Sequence, residues 1–145
     1  MHVLILDPNK EARTDLKLSI MEKTSHHVTD KRSGRAGVGY LKNIPKKYWP
    51  DVIVSESDLG DMHIVRFIRA VREFSNLPIV CYASNDLLCS EVLQAGADQF
   101  FSRPSEEDKL IEGLEFYRPR DIKELWIATR DGDMDLMDQI LARGE

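Results

Sequence analysis

Short, dense apolar runs alternate along the chain with longer stretches whose apolar positions recur at helical spacing. HVLIL (His2–Leu6) stops at Asp7-Pro8-Asn9, and residues 10–24 then carry Leu16, Leu18, Ile20 and Met21. DVIVS (residues 51–55) leads through a polar loop into residues 62–74, with Ile64, Val65, Phe67, Ile68 and Val71 on a helical period. LPIVCYA (residues 77–83) precedes residues 85–95, where Leu87, Leu88, Val92 and Leu93 share a face. DQFF (residues 98–101) precedes residues 106–117, with Leu110, Ile111 and Leu114. A weaker pair, residues 26–29 and 35–42, fills the gap after the first helix; Gly37 and Gly39 lower the helix propensity of its second half. Five strand–helix units predict an α/β domain whose parallel sheet is covered on both faces. Functional groups in such sheets gather beyond the carboxyl ends of the strands. Asp7, Glu56 and Arg103 fall there, so two carboxylates and a guanidinium are expected on one rim.

Composition narrows the class. With 145 residues, 42% hydrophobic and 31% charged, the chain reads as one globular domain with a short appendage. Its net charge of −5 argues against bulk electrostatic binding of nucleic acid. No apolar run approaches the roughly 18 residues of a membrane span, and the start MHVLILDPNK lacks the features of a signal peptide. Cys81 and Cys89 form neither a disulfide framework nor a metal-ligand spacing, and His26, His27 and His63 have no ligand cluster around them. The expectation is a reduced, cytoplasmic protein without a metal site.

Three stretches carry a family resemblance. PDVIVSESDLGDMHIVRFIRAVR (residues 50–72) runs without a gap along a "PD-hydrophobic run-D-x-x-x-P-x-M-D-G" segment; LPIVCYASND (residues 77–86) is similar to "PIIxLTA"; AGADQFFSRP (residues 95–104) is similar to "AGADDYLxKP". In order and spacing the chain resembles, over roughly residues 2–117, the receiver domain of bacterial two-component response regulators. The resemblance implies a flavodoxin-like (βα)5 fold with strand order 2-1-3-4-5. It further implies an aspartate phosphorylated at the end of the third strand. Around that aspartate the family places Mg²⁺ on an acidic pair after the first strand, a Thr or Ser after the fourth, and a Lys after the fifth.

The chain departs from that site at four of five positions. Glu56 stands at the acceptor, Pro8 at the second acidic position, Ala83 at the hydroxyl and Arg103 at the lysine; only Asp7 keeps its identity. Glu is one methylene too long for in-line attack and metal coordination to be met together. Pro8 removes a hard oxygen ligand, and Mg²⁺ tolerates poor octahedral geometry badly. Ala83 cannot donate to a phosphoryl oxygen, while Arg103 is able to clamp Glu56 or Asp7 bidentately. These changes point to a degenerate site: a non-enzymatic pseudo-receiver with no cofactor and no metal, in which a fixed ion-pair network replaces the switch. At a solvated rim such a pair is worth less than about 1 kcal/mol. Ser84 is excluded as a substitute hydroxyl because strand alternation turns it away. Asp58 and Asp61 are the alternative acceptors, both in the following loop, and Phe100 falls at the family's switch-like aromatic position. A small-ligand flavodoxin-like reading finds no glycine-rich phosphate loop after any strand.

Charge is unevenly spread. Between residues 26 and 47, Lys31, Arg32, Arg35, Lys42, Lys46 and Lys47 face one acidic residue, Asp30: +5 within a chain of −5. This is either a solvated surface or a contact patch for an acidic partner. Residues 119–145 do not belong to a receiver. Their pattern predicts an αα-hairpin over 121–130 and 134–143, with Gly144 closing it. Ala128, Gly132, Leu136, Leu141 and Gly144 fall on the spacing of an ankyrin repeat. Four basic and seven acidic residues make this tail −3, which disfavours a DNA-reading helix-turn-helix. One repeat cannot bury its own apolar face. The expected covers are the receiver itself, a second copy in a homodimer, or further repeats of a longer chain. The division is thus 1–118 and 119–145. The function expected is phosphorylation-independent interaction with signalling proteins, neither nucleic acid nor membrane; the competing reading is a receiver phosphorylated at Glu56, Asp58 or Asp61.

Overall fold

A computed structural model describes residues 1–117 of the chain; the helical hairpin expected over 119–145 lies outside the described residues. The five apolar runs form strands β1 (His2–Leu6), β2 (His27–Lys31), β3 (Val52–Ser55), β4 (Ile79–Ala83) and β5 (Gln99–Ser102). All neighbours pair in parallel, in the order β2-β1-β3-β4-β5. Helices α1 (Lys10–Lys23), α2 (Gly34–Asn43), α3 (Ile64–Arg72), α4 (Cys89–Ala95) and α5 (Glu107–Gly113) connect and follow them. The flavodoxin-like order read from the sequence is the order observed.

Strand alternation sorts the apolar side chains into two cores. Leu4, Leu6, Ile53, Ile79, Cys81 and Ala83 point to the side covered by α2, α3 and α4. Val3, Ile5, Val52, Val54, Val80 and Tyr82 point to the side covered by α1 and α5. Buried on both faces, the central strands read as continuous apolar runs because neither face meets water.

Side-chain caps start α1, α2 and α3. Asn9 Oδ1 accepts from the Ala12 amide at 3.0 Å and Ser33 Oγ from the Ala36 amide at 3.1 Å. His63 Nδ1 takes the Val65 amide at the start of α3. Gly96, at φ +121°, ends α4 in a conformation that L side chains rarely adopt. Of the two α2 glycines noted as helix-weakening, Gly37 has a packing reason: a Cβ there would lie 2.9 Å from Leu6 Cδ2, so the missing side chain lets α2 settle onto β1, whereas Gly39 faces open space. Among the described residues no helix is long and apolar enough to cross a membrane.

Candidate functional site

Sheet hydrogen bonding continues one residue past the strands and aligns the rim. The Asp7 amide donates to Lys31 O, the Glu56 amide to Leu6 O at 3.0 Å and the Arg103 amide to Ala83 O at 2.9 Å. Residues far apart in sequence are thereby set side by side at the carboxyl edge. The contact expected among Asp7, Glu56 and Arg103 is made. Arg103 Nη1 donates to Asp7 Oδ2 at 2.7 Å and to Glu56 Oε2 at 3.2 Å.

The form of the contact differs from the bidentate clamp expected. One guanidinium nitrogen bridges two carboxylates, and the other oxygen of each carboxylate is held by neighbouring donors. Asp7 Oδ1 accepts the Asn9 amide at 2.9 Å, and Glu56 Oε1 accepts the Ser57 amide at 2.7 Å and the Ser57 hydroxyl at 3.1 Å. The guanidinium lies over the Tyr82 ring, 5.1 Å from its centroid, an arrangement available to a planar cation. From α1, Arg13 Nη1 donates to the Asp7 carbonyl at 2.8 Å and fixes the backbone there.

The network is more buried than a solvated rim pair. The Asp7 side chain is 6% exposed, those of Glu56 and Arg103 19% each. Burial by itself lowers the Arg103 pKa; the hydrogen bond and charge of Asp7, then Glu56, more than offset it, and the guanidinium stands above its ordinary value. Beneath the rim, burial and then the charge of Glu56 push the Cys81 thiol up to about 12. The crevice lined by Asp7, Ser55, Glu56, Tyr82 and Arg103 has no room for a water molecule.

A divalent cation at this rim, the group the family resemblance implies, needs hard oxygens in octahedral array. Pro8 is exposed and supplies none. The two oxygens that face each other, Asp7 Oδ2 and Glu56 Oε2, share the Arg103 nitrogen instead. The residues present do not fit the ion. Among the described residues no group of three His, Cys, Asp or Glu side chains is placed to hold a metal.

The remaining candidates separate. Ala83 is buried and contributes a methyl group to the α2–α4 core, and Phe100 packs partly buried against that core. Ser84 is exposed. Asp58 Oδ1 accepts the Gly60 amide at 2.9 Å within the β3–α3 loop. Asp61 sits at the start of α2, its two oxygens on the Gly34 and Arg35 amides, both at 2.9 Å. Burial opposes but these amides prevail in holding its carboxyl below the ordinary value. Neither Asp58 nor Asp61 joins the Arg103 network. Sequence reasoning gave no role to Asn9 and Ser57, which hold the Asp7 and Glu56 carboxylates, to Tyr82, which lies under the guanidinium, or to Arg13, which fixes the Asp7 backbone; a hydroxyl adjacent to Glu56 was the one available signal. It also missed the bond from Ser102 Oγ to Asp86 Oδ1, which ties the end of β5 to the loop after β4.

The sequence profile of the response regulator receiver domain matches residues 3–115, and the chain belongs to that family. The Francisella response regulator 1452 receiver domain superposes with a TM-score of 0.69 at 19% identity, over 79% of this chain and 93% of that one. A two-component response regulator from Clostridium difficile gives 0.69 at 19% identity over 80% and 93%. The chemotaxis response regulator CheY4 of Vibrio cholerae gives 0.66 at 20% over 79% and 96%. At these identities the likeness is one of fold. Comparison with curated proteins found no match.

Proposed function

We propose that this receiver is a pseudo-receiver: a phosphorylation-independent interaction module that binds other signalling proteins and catalyses no phosphoryl transfer to itself. The observation that carries the reading is the single Arg103 nitrogen held between Asp7 Oδ2 and Glu56 Oε2, at 2.7 and 3.2 Å. A fixed cation there supplies the charge that a receiver would otherwise take from a metal, and it does so without a ligand. Ala83 leaves no hydroxyl to report a phosphoryl group, so the rim has one state rather than two. The competing reading, phosphorylation at Glu56, Asp58 or Asp61, would require Glu56 or Asp61 to leave partners that now engage both oxygens, while Asp58, with one oxygen on the Gly60 amide, lies outside the Arg103 network. The test is incubation with acetyl phosphate or beryllofluoride and Mg²⁺, followed by intact mass and amide chemical shifts. An unchanged mass and unmoved rim amides are expected. A gain of one phosphoryl group that Glu56→Gln, Asp58→Asn or Asp61→Asn abolishes would overturn the proposal.

A further inference from the structure

The basic segment becomes a defined surface once folded. On α2, Gly34, Gly37 and Leu41 face the core, while Arg35 and Lys42 are exposed at a spacing of seven residues, with Gly39 between them. That spacing puts the two cations on one face about 10 Å apart along the axis. A Cβ on Gly39 would meet only Asn43 Nδ2 at 3.9 Å, so the stripe is shallow and open there. Arg32 stands exposed at the end of edge strand β2, and Lys46 and Lys47 extend the stripe past the end of α2.

The charges on this surface are only partly answered from within: Asp61 lies close enough to Arg35 to feel its charge, and the surface carries more cations than carboxylates. Asp30, the acidic residue of the segment, is held by Arg13 at 2.7 Å and Lys17 at 3.2 Å. Asp61 spends both oxygens on the α2 amides. Elsewhere Arg13, Lys17, Lys23, Arg72, Arg103 and Lys109 each hold a carboxylate. Among the described residues Arg32, Arg35, Lys31, Lys42 and Lys47 hold none. Four lysines of the surface lie over rings: Lys31 over Tyr40 at 5.0 Å, Lys42 over Phe74 at 5.3 Å, Lys46 over Trp49 at 5.8 Å and Lys47 over Tyr48 at 5.1 Å. A ring restrains the ammonium and leaves its outer side open to a carboxylate.

We infer that the α2 face is a docking surface for an acidic polypeptide segment of a partner protein. A chain of −5 whose residues 26–47 carry +5 leaves −10 on the rest. That surround repels a long phosphate backbone that runs off the stripe, whereas a short carboxylate-rich segment fits within it. The inference gives the interaction module of the preceding section a face and a partner chemistry, and its test reads α2 rather than the phosphorylation rim.

The probe is a fluorescein-labelled dodecapeptide, Glu-Asp-Leu repeated four times, followed by anisotropy against the full chain in 50 mM and 300 mM NaCl. Binding is expected to weaken at least tenfold in Arg35→Glu/Lys42→Glu and at least tenfold at the higher salt. The control Lys10→Glu/Lys109→Glu makes the same change in net charge on α1 and α5 and should weaken binding less than threefold. No binding by the wild type, or equal losses in the two variants, would overturn the inference. So would a 12-base-pair DNA duplex that binds more tightly than the peptide. A tenfold gain in affinity when Asp131, Asp133, Asp135 and Asp138 are changed to Asn in the full chain would make the chain's own acidic segment the occupant, and would overturn the assignment to a partner.

Discussion

Replacing Arg103 by alanine removes the donor that Asp7 Oδ2 and Glu56 Oε2 share. Breaking a fully buried ion pair costs about 3–5 kcal/mol, and an exposed pair contributes about 0–1 kcal/mol. This network lies between those limits. Asp7, 6% exposed, is left with the Asn9 amide, while Glu56, 19% exposed, keeps both Ser57 donors and meets water that enters the vacated space. The loss works out at about 2 kcal/mol, most of it the uncompensated Asp7 carboxylate. For a domain of this size that corresponds to about 8 °C in Tm. Asp7→Ala in the Arg103→Ala background takes away the stranded charge, so the pair should show a coupling of about 1–2 kcal/mol. Urea unfolding of the four proteins of the cycle at pH 7, followed by circular dichroism, measures both quantities. Arg103→Ala within about 0.5 kcal/mol of wild type, or two losses that simply add, would refute the picture of a buried network.

Two further predictions concern stability alone. For Asp30, burial raises the pKa but the bonds from Arg13 and Lys17 more than offset it, and the carboxyl sits below its ordinary 3.8. A carboxyl depressed in the folded state stabilises above its unfolded pKa, and that contribution is lost as pH falls through the folded one. Asp30→Asn should therefore lower the urea midpoint at pH 6, and the gap from wild type should close as pH drops below 3.8; a gap that persists at the acid end would contradict the sign. The two α2 glycines should respond oppositely to alanine. Gly37→Ala drives a methyl into Leu6 and Phe67 and should cost about 1–3 kcal/mol. Gly39→Ala, with open space around it, should stabilise by about 0.8 kcal/mol through helix propensity, and thermal melts of both variants decide it.

Much of this protein was legible without coordinates, and the reason is that its decisive signals are local. Period-two burial and period-3.6 amphipathicity act over five to fifteen residues, so the five units and their order of occurrence could be read directly, including the glycine-weakened α2. The departures at Pro8, Glu56, Ala83 and Arg103 are likewise identities, visible in the chain itself. What only the tertiary structure decided is how those identities combine. Asp7, Glu56 and Arg103 are separated by up to 96 residues, and parallel register alone sets them within one hydrogen-bond length. The geometry of their contact is a shared nitrogen rather than the fork expected of arginine, with Asn9 and Ser57 on the other oxygen of each carboxylate. Gly37 reads as a poor helix residue in sequence and is a packing requirement in space, because the Leu6 side chain beneath it comes from a different element. The basic residues of 26–47 followed the same rule. Their sign was written in the chain, but which carboxylates folding would bring near was a question of long-range contacts, which the fold answered by sending Asp30 to Arg13 and Lys17 and Asp61 to the α2 amides beside Arg35.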